Sequence, residues 1–350
     1  MLKFWPPFAF LALAPLGDLM GGAGSYLLLA VMPVSLVGLD FALGSPVNPT
    51  TEPADSRFRA LPWLYIPLQL ALIAWAATVI ARPTTGLPEA IGLTLTCGLT
   101  AGVFGFLAAH EMVHSRRAAE RALGLTMLAG VLYLQFAIAH LHGHHRRGAT
   151  PEDPATARRG ESAYAFMVRS VAGQAAEAWR FEAQRLRLAG RPVFGPGNRM
   201  IAWFAIEALL VLAIGLWSLR ALAFFLADAA VAVILLELFN YIAHYGLVRR
   251  RDPAGRLERL GPRHCWNSAR RMTNWTLFNM GRHSDHHRFA GRPYQELEVL
   301  GGGAELPTGY AGAILMALIP PLWRKVMDPR ADRVMGAGPS GPAPHDARPG

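Results

Sequence analysis

Apolar runs long enough to cross a lipid bilayer are the strongest constraint on how this sequence folds. A transmembrane helix requires about 20 consecutive residues that are mostly apolar. Four runs meet this requirement and contain at most two acidic residues each: Leu61–Ala81, Ala90–Ala109, Met200–Leu219 and Ala221–Ala243. Two further apolar runs, Phe4–Leu16 and Met20–Leu39, precede them. We therefore predict an all-α integral membrane protein with about six transmembrane helices.

The connections between these runs predict their orientation. Three of them are short, which pairs the runs into three hairpins: Gly17–Leu19, Arg82–Glu89 and Arg220. Under that pairing, Arg82 and Arg220 are the only basic residues on one side of the membrane. Because positive residues stay in the cytoplasm, both termini and the polar segments His110–Arg199 and His244–Gly350 are predicted to be cytoplasmic. This layout accounts for the net charge of +10 without a nucleic-acid partner.

The polar segments suggest how the chain is divided. Ala118–Ala139 is apolar on one face and is predicted to be a helix that lies against or dips into the membrane surface. Residues 326–350 are rich in Gly, Pro and Arg, a composition typical of a disordered tail. Residues 1–325 would then form a single membrane-embedded domain with a cytoplasmic helical cap.

Histidines are concentrated on the predicted cytoplasmic side. Of 12 in the chain, all but His345 lie between positions 110 and 287. Most belong to four motifs: "HEMVH", "HLHGHH", "NYIAHYG" and "HSDHH". Residues three or four apart share a helical face, so we expect each of three sets to aim at one point: His110/His114, His140/His144 and His283/His286/His287. His142 would point elsewhere, and His264 lies outside the motifs.

Clustered imidazoles favour a transition-metal site, since magnesium and calcium prefer oxygen ligands. Nine histidines exceed the roughly six ligands that one metal takes, so two metals are predicted. An all-imidazole set favours redox-active iron, although zinc also accepts imidazole. "HEMVH" alone would suit a zinc protease with Glu111 as general base, but that site would leave the other motifs without a role. A histidine-rich storage or sensing patch is a further alternative.

The order of the motifs resembles that of the membrane di-iron alkane 1-monooxygenases, a branch of the membrane fatty acid desaturase and hydroxylase superfamily. The resemblance covers roughly residues 35 to 300. It rests on these segments: "GLDFALGSPVNP", "HEMVH", "HLHGHHRRGATPEDPATAR", "LLELFNYIAHYGLVRR" and "GRHSDHHRFAGRPYQEL". It implies a six-span fold and two non-haem irons at a cytoplasmic site. The histidines implied as ligands are His110, His114, His140, His144, His145, His244, His283, His286 and His287.

Two positions depart from the family pattern. Ala139 and Ala243 stand where these enzymes usually have Glu before a histidine. A carboxylate beside a metal-binding imidazole orients the ring, and its loss typically costs about 10–100-fold in metal affinity or activity. Glu111, Asp285 and Glu237 are the remaining candidates for this role; Glu237 precedes His244 by two helical turns on the same face. Interhelical hydrogen bonding is the alternative role for Glu237.

The resemblance implies a monooxygenase that uses O2 to hydroxylate an unactivated C–H bond, such as a terminal methyl group, in an apolar substrate. The chain has no redox-cofactor motif, so electrons would come from an external protein. The resemblance implies that this donor is rubredoxin, or a ferredoxin with its reductase. Arg146, Arg147 and Arg249–Arg251 would suit an acidic donor, or anchor the protein at the membrane surface. A fatty acid desaturase with the same ligands and a non-catalytic metal-binding membrane protein are the alternatives.

Overall fold

A series of helices forms the N-terminal part of the protein. The computed structural model describes residues 1–47, 50–53 and 55–336. The first α-helices are α1 (Pro6–Met20), α2 (Leu27–Leu43), α3 (Ala60–Ala81), α4 (Leu87–Thr100), α5 (Phe106–Val113), α6 (Ala118–Gly130), α7 (Gln135–Ile138) and α8 (His145–Arg147). Two π-helical segments, Ala101–Gly105 and Ala139–His144, join α4 to α5 and α7 to α8. Short 3₁₀ segments occupy Leu2–Phe4, Gly22–Tyr26 and Ser56–Arg59.

Long helices and short polar elements alternate in the C-terminal part. Its helices are α9 (Ala163–Leu188), α10 (Arg199–Trp217), α11 (Leu219–His244), α12 (Arg271–Thr276), α13 (His283–Arg288), α14 (Tyr310–Ala317) and α15 (Pro320–Gly336). Two 3₁₀ turns occupy Pro262–His264 and Tyr294–Glu296. Strands β1 (Trp266–Asn267) and β2 (Ala304–Glu305) pair in parallel.

The helical membrane architecture is confirmed by the length and hydropathy of the helices. In the described residues, five helical stretches are long and apolar enough to cross a bilayer: Gly22–Leu43, Ser56–Ala81, Leu87–Val113, Arg199–Trp217 and Leu219–His244. They correspond to five of the six predicted runs. The run predicted first forms α1, which is apolar but has only 15 residues.

Helix α11 is central to the bundle and packs against α3, α4, α9 and α10. Its contact with α4 and the following π-helical segment depends on two glycines that lie one helical turn apart. A Cβ on Gly98 would lie 2.6 Å from Cβ of Val231, and one on Gly102 would lie 2.8 Å from Cα of Ala232. Small residues spaced in this way allow close backbone approach between membrane helices.

The surface helix predicted over Ala118–Ala139 is interrupted in the structure, so this prediction is wrong in its extent. Helix α6 ends at Gly130, and Leu132 adopts a left-handed φ of 53° before α7 begins. A backbone amide at the break finds its hydrogen-bond partner on another helix: Leu134 N donates a hydrogen bond of 3.0 Å to Glu207 Oε1 of α10. This contact also gives the buried acidic residue of α10 a partner.

Ordered structure continues past residue 325, where the sequence predicts a tail. Helix α15 extends to Gly336, and it buries Trp323, Met327 and Ala331. The ring of Trp323 packs 5.4 Å from that of Tyr241, measured between centroids. An apolar stripe at helical spacing therefore outweighs the charged composition of this segment. The rest of the predicted tail, residues 337–350, lies outside the described residues.

We expect Gly98→Ala to destabilise the folded protein by about 1–3 kcal/mol, because the added methyl overpacks the contact between α4 and α11. Gly38→Ala in α2 is the matched control, since a Cβ there meets no atom within 4 Å. That change should be neutral or slightly stabilising. Thermal unfolding in detergent measures both variants, and equal shifts of the two midpoints would contradict the close-packing argument.

Candidate metal centre

The structure brings nine histidines together beside the bundle, in two groups. Within each group, one possible ligand atom per residue lies within 4.8 Å of all the others. The five-histidine group consists of His110, His114, His140, His145 and His286. The four-histidine group consists of His144, His244, His283 and His287. These are the nine positions singled out in the sequence, contributed by four separate segments of the chain.

The spacing of the ring nitrogens fits metal ligation. In the five-histidine group, Nε2 of His145 lies 3.0 Å from Nε2 of His140 and 3.1 Å from Nε2 of His114. In the four-histidine group, the Nε2 atoms of His283 and His287 are 3.1 Å apart. Two nitrogens that bind one metal at right angles, each at about 2.1 Å, would be about 3.0 Å apart. Each group therefore has the donor set and spacing for one transition-metal ion.

The two groups adjoin each other, and their environment favours the neutral form of six of the nine rings. The ring centroids of His145 and His287, one from each group, are 4.7 Å apart. Burial, together with repulsion from neighbouring rings, lowers the pKa well below the ordinary histidine value for His114, His140, His145, His283, His286 and His287. Neutral imidazole offers a nitrogen lone pair, which is the form that binds metals.

The division into two groups corrects one expectation from spacing. We expected His140 and His144 to aim at one point, and likewise the three histidines of "HSDHH". Instead, His140 and His144 belong to different groups, and His286 is separated from His283 and His287. His140 and His144 lie on a π-helical segment, where each turn contains more residues than in an α-helix. The wider turn directs neighbouring histidines toward different centres. His110 and His114 do share a group.

Two rings are fixed through their second nitrogen. Nδ1 of His144 lies 2.8 Å from Oδ2 of Asp153. Nδ1 of His244 lies 2.9 Å from the backbone oxygen of His264. Burial raises the pKa of Asp153, but attraction to His144 and the hydrogen bonds from His144 and Thr156 more than offset this effect, so the pKa is about 2. Asp153 was missed in the sequence, although it lies within the quoted motif "HLHGHHRRGATPEDPATAR".

The three carboxylates proposed from the sequence bond elsewhere. Glu111 Oε1 accepts a hydrogen bond of 3.2 Å from Tyr294 N. Asp285 Oδ2 accepts from Arg292 Nη1 at 2.7 Å. Glu237 lies at the interface of α11 with α9, as three donors reach its Oε1: Tyr133 OH at 3.1 Å, Gln174 Nε2 at 2.8 Å and Asn240 Nδ2 at 3.4 Å. In the described chain, none of the three hydrogen-bonds to an imidazole.

The remaining histidines of the polar segments lie outside both groups. His142 is exposed, and its ring lies 6.3 Å from that of Phe181. His264 is buried, with Nε2 located 3.0 Å from Oε1 of Glu258. Its backbone oxygen, rather than its ring, contacts the metal-binding region through His244.

An apolar cavity of about 250 Å³ leads to the histidines. Helices α2, α11 and α14 supply much of its wall, including Met32, Leu36, Leu235, Ile314 and Leu315. Four histidines line it as well: His110 and His140 from the five-histidine group, and His144 and His283 from the other. Leu315 and Leu318 of the wall are each more than one-third exposed. The cavity therefore connects the apolar exterior to both groups.

A polar cleft of about 680 Å³ approaches the five-histidine group from another direction and includes His114 and Glu111 in its wall. Four arginines line it: Arg59, Arg116, Arg117 and Arg292. Glu120 lies 3.5 Å from Arg117 and 4.0 Å from Arg59. Arg116 is exposed and forms no ion pair within the described residues.

Known proteins are similar to this chain in sequence. A sequence profile described as "Fatty acid desaturase" matches residues 85–301. Alkane 1-monooxygenase 1 of Pseudomonas aeruginosa is 42% identical over 302 residues, which cover 83% of this chain and 79% of the relative. Alkane 1-monooxygenase of Pseudomonas putida is 35% identical over 334 residues, which cover 93% and 83%.

A more distant relative is the xylene/toluene monooxygenase hydroxylase component of Pseudomonas putida. It is 27% identical over 267 residues, which cover 75% of this chain and 70% of the relative. The profile match includes every histidine of both groups. The chain therefore belongs to the fatty acid desaturase family and, within it, groups with the alkane 1-monooxygenases.

Proposed function

We propose that this protein is an integral-membrane monooxygenase that hydroxylates an unactivated C–H bond, at the terminal methyl group of an alkane or alkyl chain. One molecule of R–CH3 reacts with O2, two electrons and two protons to give R–CH2OH and water. The observation that carries this proposal is the apolar cavity that ends at both histidine groups. The names of the relatives support it, since they describe monooxygenases of alkanes and of xylene or toluene.

Two iron ions, one in each histidine group, are the proposed cofactor. Bound there, they would supply the redox chemistry that reduces dioxygen and oxidises the C–H bond. Zinc has the right affinity for imidazole but does not change oxidation state, so it would not support this reaction. The nine histidines would hold the metals, and Asp153 and the backbone of His264 orient two of the rings.

The cavity wall binds and positions the substrate. It offers an alkyl chain apolar contacts along its length, and burial of each methylene contributes about 0.8 kcal/mol. Phe136 stacks on the ring of His140 with 4.7 Å between centroids. Phe239 stacks on Tyr310 at 4.5 Å and meets the ring of His283 edge-on. These aromatic side chains exclude water beside the histidines and leave a space for the terminal methyl group.

We propose six membrane spans, with α1 and α2 as the first hairpin, and one membrane domain that includes residues 1–325. The histidine groups and both termini would be cytoplasmic, because the hairpin pairing leaves few basic residues on the opposite side. In a bacterium, this places the protein in the inner membrane. Electrons would then come from a cytoplasmic rubredoxin, or from a ferredoxin with its reductase.

The polar cleft is the proposed approach for the electron donor, because it reaches His114 from the charged surface. Three of the arginines that the sequence suggested for donor binding form contacts within the protein instead. Arg147 pairs with Glu177, Arg249 donates to the backbone oxygen of Glu258, and Arg251 pairs with Glu152. The exposed Arg116 at the cleft gives an acidic donor a positive contact beside the site.

Reconstitution with a donor system and ¹⁸O2 tests the reaction. We expect a medium-chain alkane to yield its 1-alcohol with one labelled oxygen atom, as measured by mass spectrometry. An alkene product without label would identify a desaturase. Metal binding without any product would indicate a non-catalytic metal-binding protein.

The variant His244→Ala tests the ligand assignment. Loss of one imidazole should lower the iron content toward about one ion per chain and abolish turnover, since a structural metal site requires about four ligands. His142 is exposed and lies outside both groups, so His142→Ala is the control and should retain full iron content and full turnover. Iron analysis and the alcohol assay are the measurements. Full iron content and full turnover in His244→Ala would remove His244 from the ligand set.

Charge reversal tests the donor surface. Arg116→Glu at the cleft should raise the KM for the donor by about tenfold and leave kcat at saturating donor little changed, because exposed charges mainly affect encounter. Salt should diminish this difference. Arg146→Glu, which also changes an exposed arginine, is the matched control. A larger effect of Arg146→Glu would place the donor on the other surface.

A further inference from the structure

Asp153 stands apart from the other acidic residues near the site. Among the carboxylates of the described residues, it alone hydrogen-bonds to one of the nine histidines, through His144 Nδ1. Both residues are buried, with exposures of 1% for Asp153 and 4% for His144. Asp153 follows α8 in the loop that leads to α9, so the turn of this loop brings it back against the histidine segment.

The hydrogen bonds around Asp153 determine which group carries each proton. Ala155 N donates to Oδ1 at 3.1 Å, and Thr156 Oγ1 donates to Oδ2 at 2.7 Å. Thr156 Oγ1 itself accepts from Ala149 N at 2.9 Å, which directs its own proton toward Asp153. The carboxylate therefore accepts at both oxygens, and Nδ1 of His144 must donate to it. This tautomer leaves the Nε2 lone pair of His144 free to bind a metal.

This support is confined to one of the two groups. Hydrogen bonds to Nδ1 are found at His144 and His244, both in the four-histidine group. The buried Nδ1 atoms of His110 and His145 in the five-histidine group, and of His283 and His287 in the four-histidine group, have no partner within the described residues. The carboxylate also places a negative charge beside Nδ1 of His144, which makes this imidazole a stronger metal ligand through Nε2. Within the part of the chain that the structure describes, no carboxylate hydrogen-bonds to a ring of the five-histidine group.

We propose that Asp153 is a positioning residue that orients and polarises His144 and thereby stabilises the metal bound by the four-histidine group specifically. The two metal positions consequently differ in how their ligands are supported, although the ligands of both are imidazoles. This inference rests on the proposed function, since it requires that the histidines bind iron. It goes further by assigning a carboxylate to one metal position and not to the other.

The alternative is that Asp153 only caps the turn formed by residues 153–156. In that case its loss would loosen the whole loop, lower the stability of the protein and weaken both metal positions together. Site-selective loss of one metal, with the other unchanged, is a result that a purely structural role would not give. The experiment therefore follows each iron separately.

The test uses full-length protein in detergent, loaded anaerobically with ⁵⁷Fe²⁺. Asp153→Asn retains the shape of the side chain but removes its charge, and Thr156→Val retains the carboxylate but removes one of its donors. Asp285→Asn is the matched control, because Asp285 is also buried beside histidines but bonds to Arg292 and the backbone of Glu298. Mössbauer spectra distinguish the two irons, and titration with a chelator measures how tightly each is held.

In Asp153→Asn we expect one iron to bind about 10–100-fold more weakly, with loss of one spectral component at limiting iron, and the other to be unchanged. Thr156→Val should give a smaller shift of the same component. Asp285→Asn should retain both components. The inference is overturned if Asp153→Asn retains both irons with unchanged affinity, or loses both equally. If the unmodified protein binds no iron, the proposed function itself fails.

Discussion

The packing of nine imidazoles against one another, seven of them buried, is the constraint on which the rest of this structure depends. Rings such as those of His140 and His145, whose centroids are 4.5 Å apart, cannot all carry charge in a site that excludes water. These two rings are therefore neutral, and the ring nitrogens of each group converge without protein donors other than one another. Buried polar atoms without partners are costly. Two cations at the centres of the groups would satisfy these atoms, and the helices that deliver them would be held together by the same ions.

Much of the bundle could be predicted because a bilayer restricts both length and composition. The uncharged runs Leu61–Ala81 and Ala90–Ala109 lie within helical stretches of the predicted kind. The nine histidines could also be identified, seven from their spacing and His145 and His244 from the family motifs. His283 and His286 belong to different groups although both lie on the α-helix α13. The separation of His140 from His144 could not be predicted from α-helical spacing, because the segment Ala139–His144 is π-helical. One added residue per turn changes the direction of every side chain that follows.

Contacts between distant parts of the chain were the least predictable. Periodicity placed Glu237 on the face of His244, yet Gln174 and Tyr133 bind its carboxylate from other elements. At the break after α6, the amide of Leu134 donates to Glu207, which lies 73 residues further along the chain. Asp153 and His144 are only nine residues apart, but the chain between them must turn back, and Ala149 in this turn adopts a left-handed conformation. None of these pairings has a periodic signature in the sequence.

The cavity between α2, α11 and α14 has an apolar wall, and in the proposed function a substrate that enters it from the bilayer changes what limits the supply of substrate. A hydrocarbon dissolves in the bilayer in preference to water by about 0.8 kcal/mol per methylene, which is about fourfold for each added carbon. Hydrocarbons with longer chains are thus scarcer in the aqueous phase but more concentrated at the entrance of the cavity. The membrane itself serves as the substrate reservoir, so the relevant concentration is a mole fraction in lipid rather than a molarity in water.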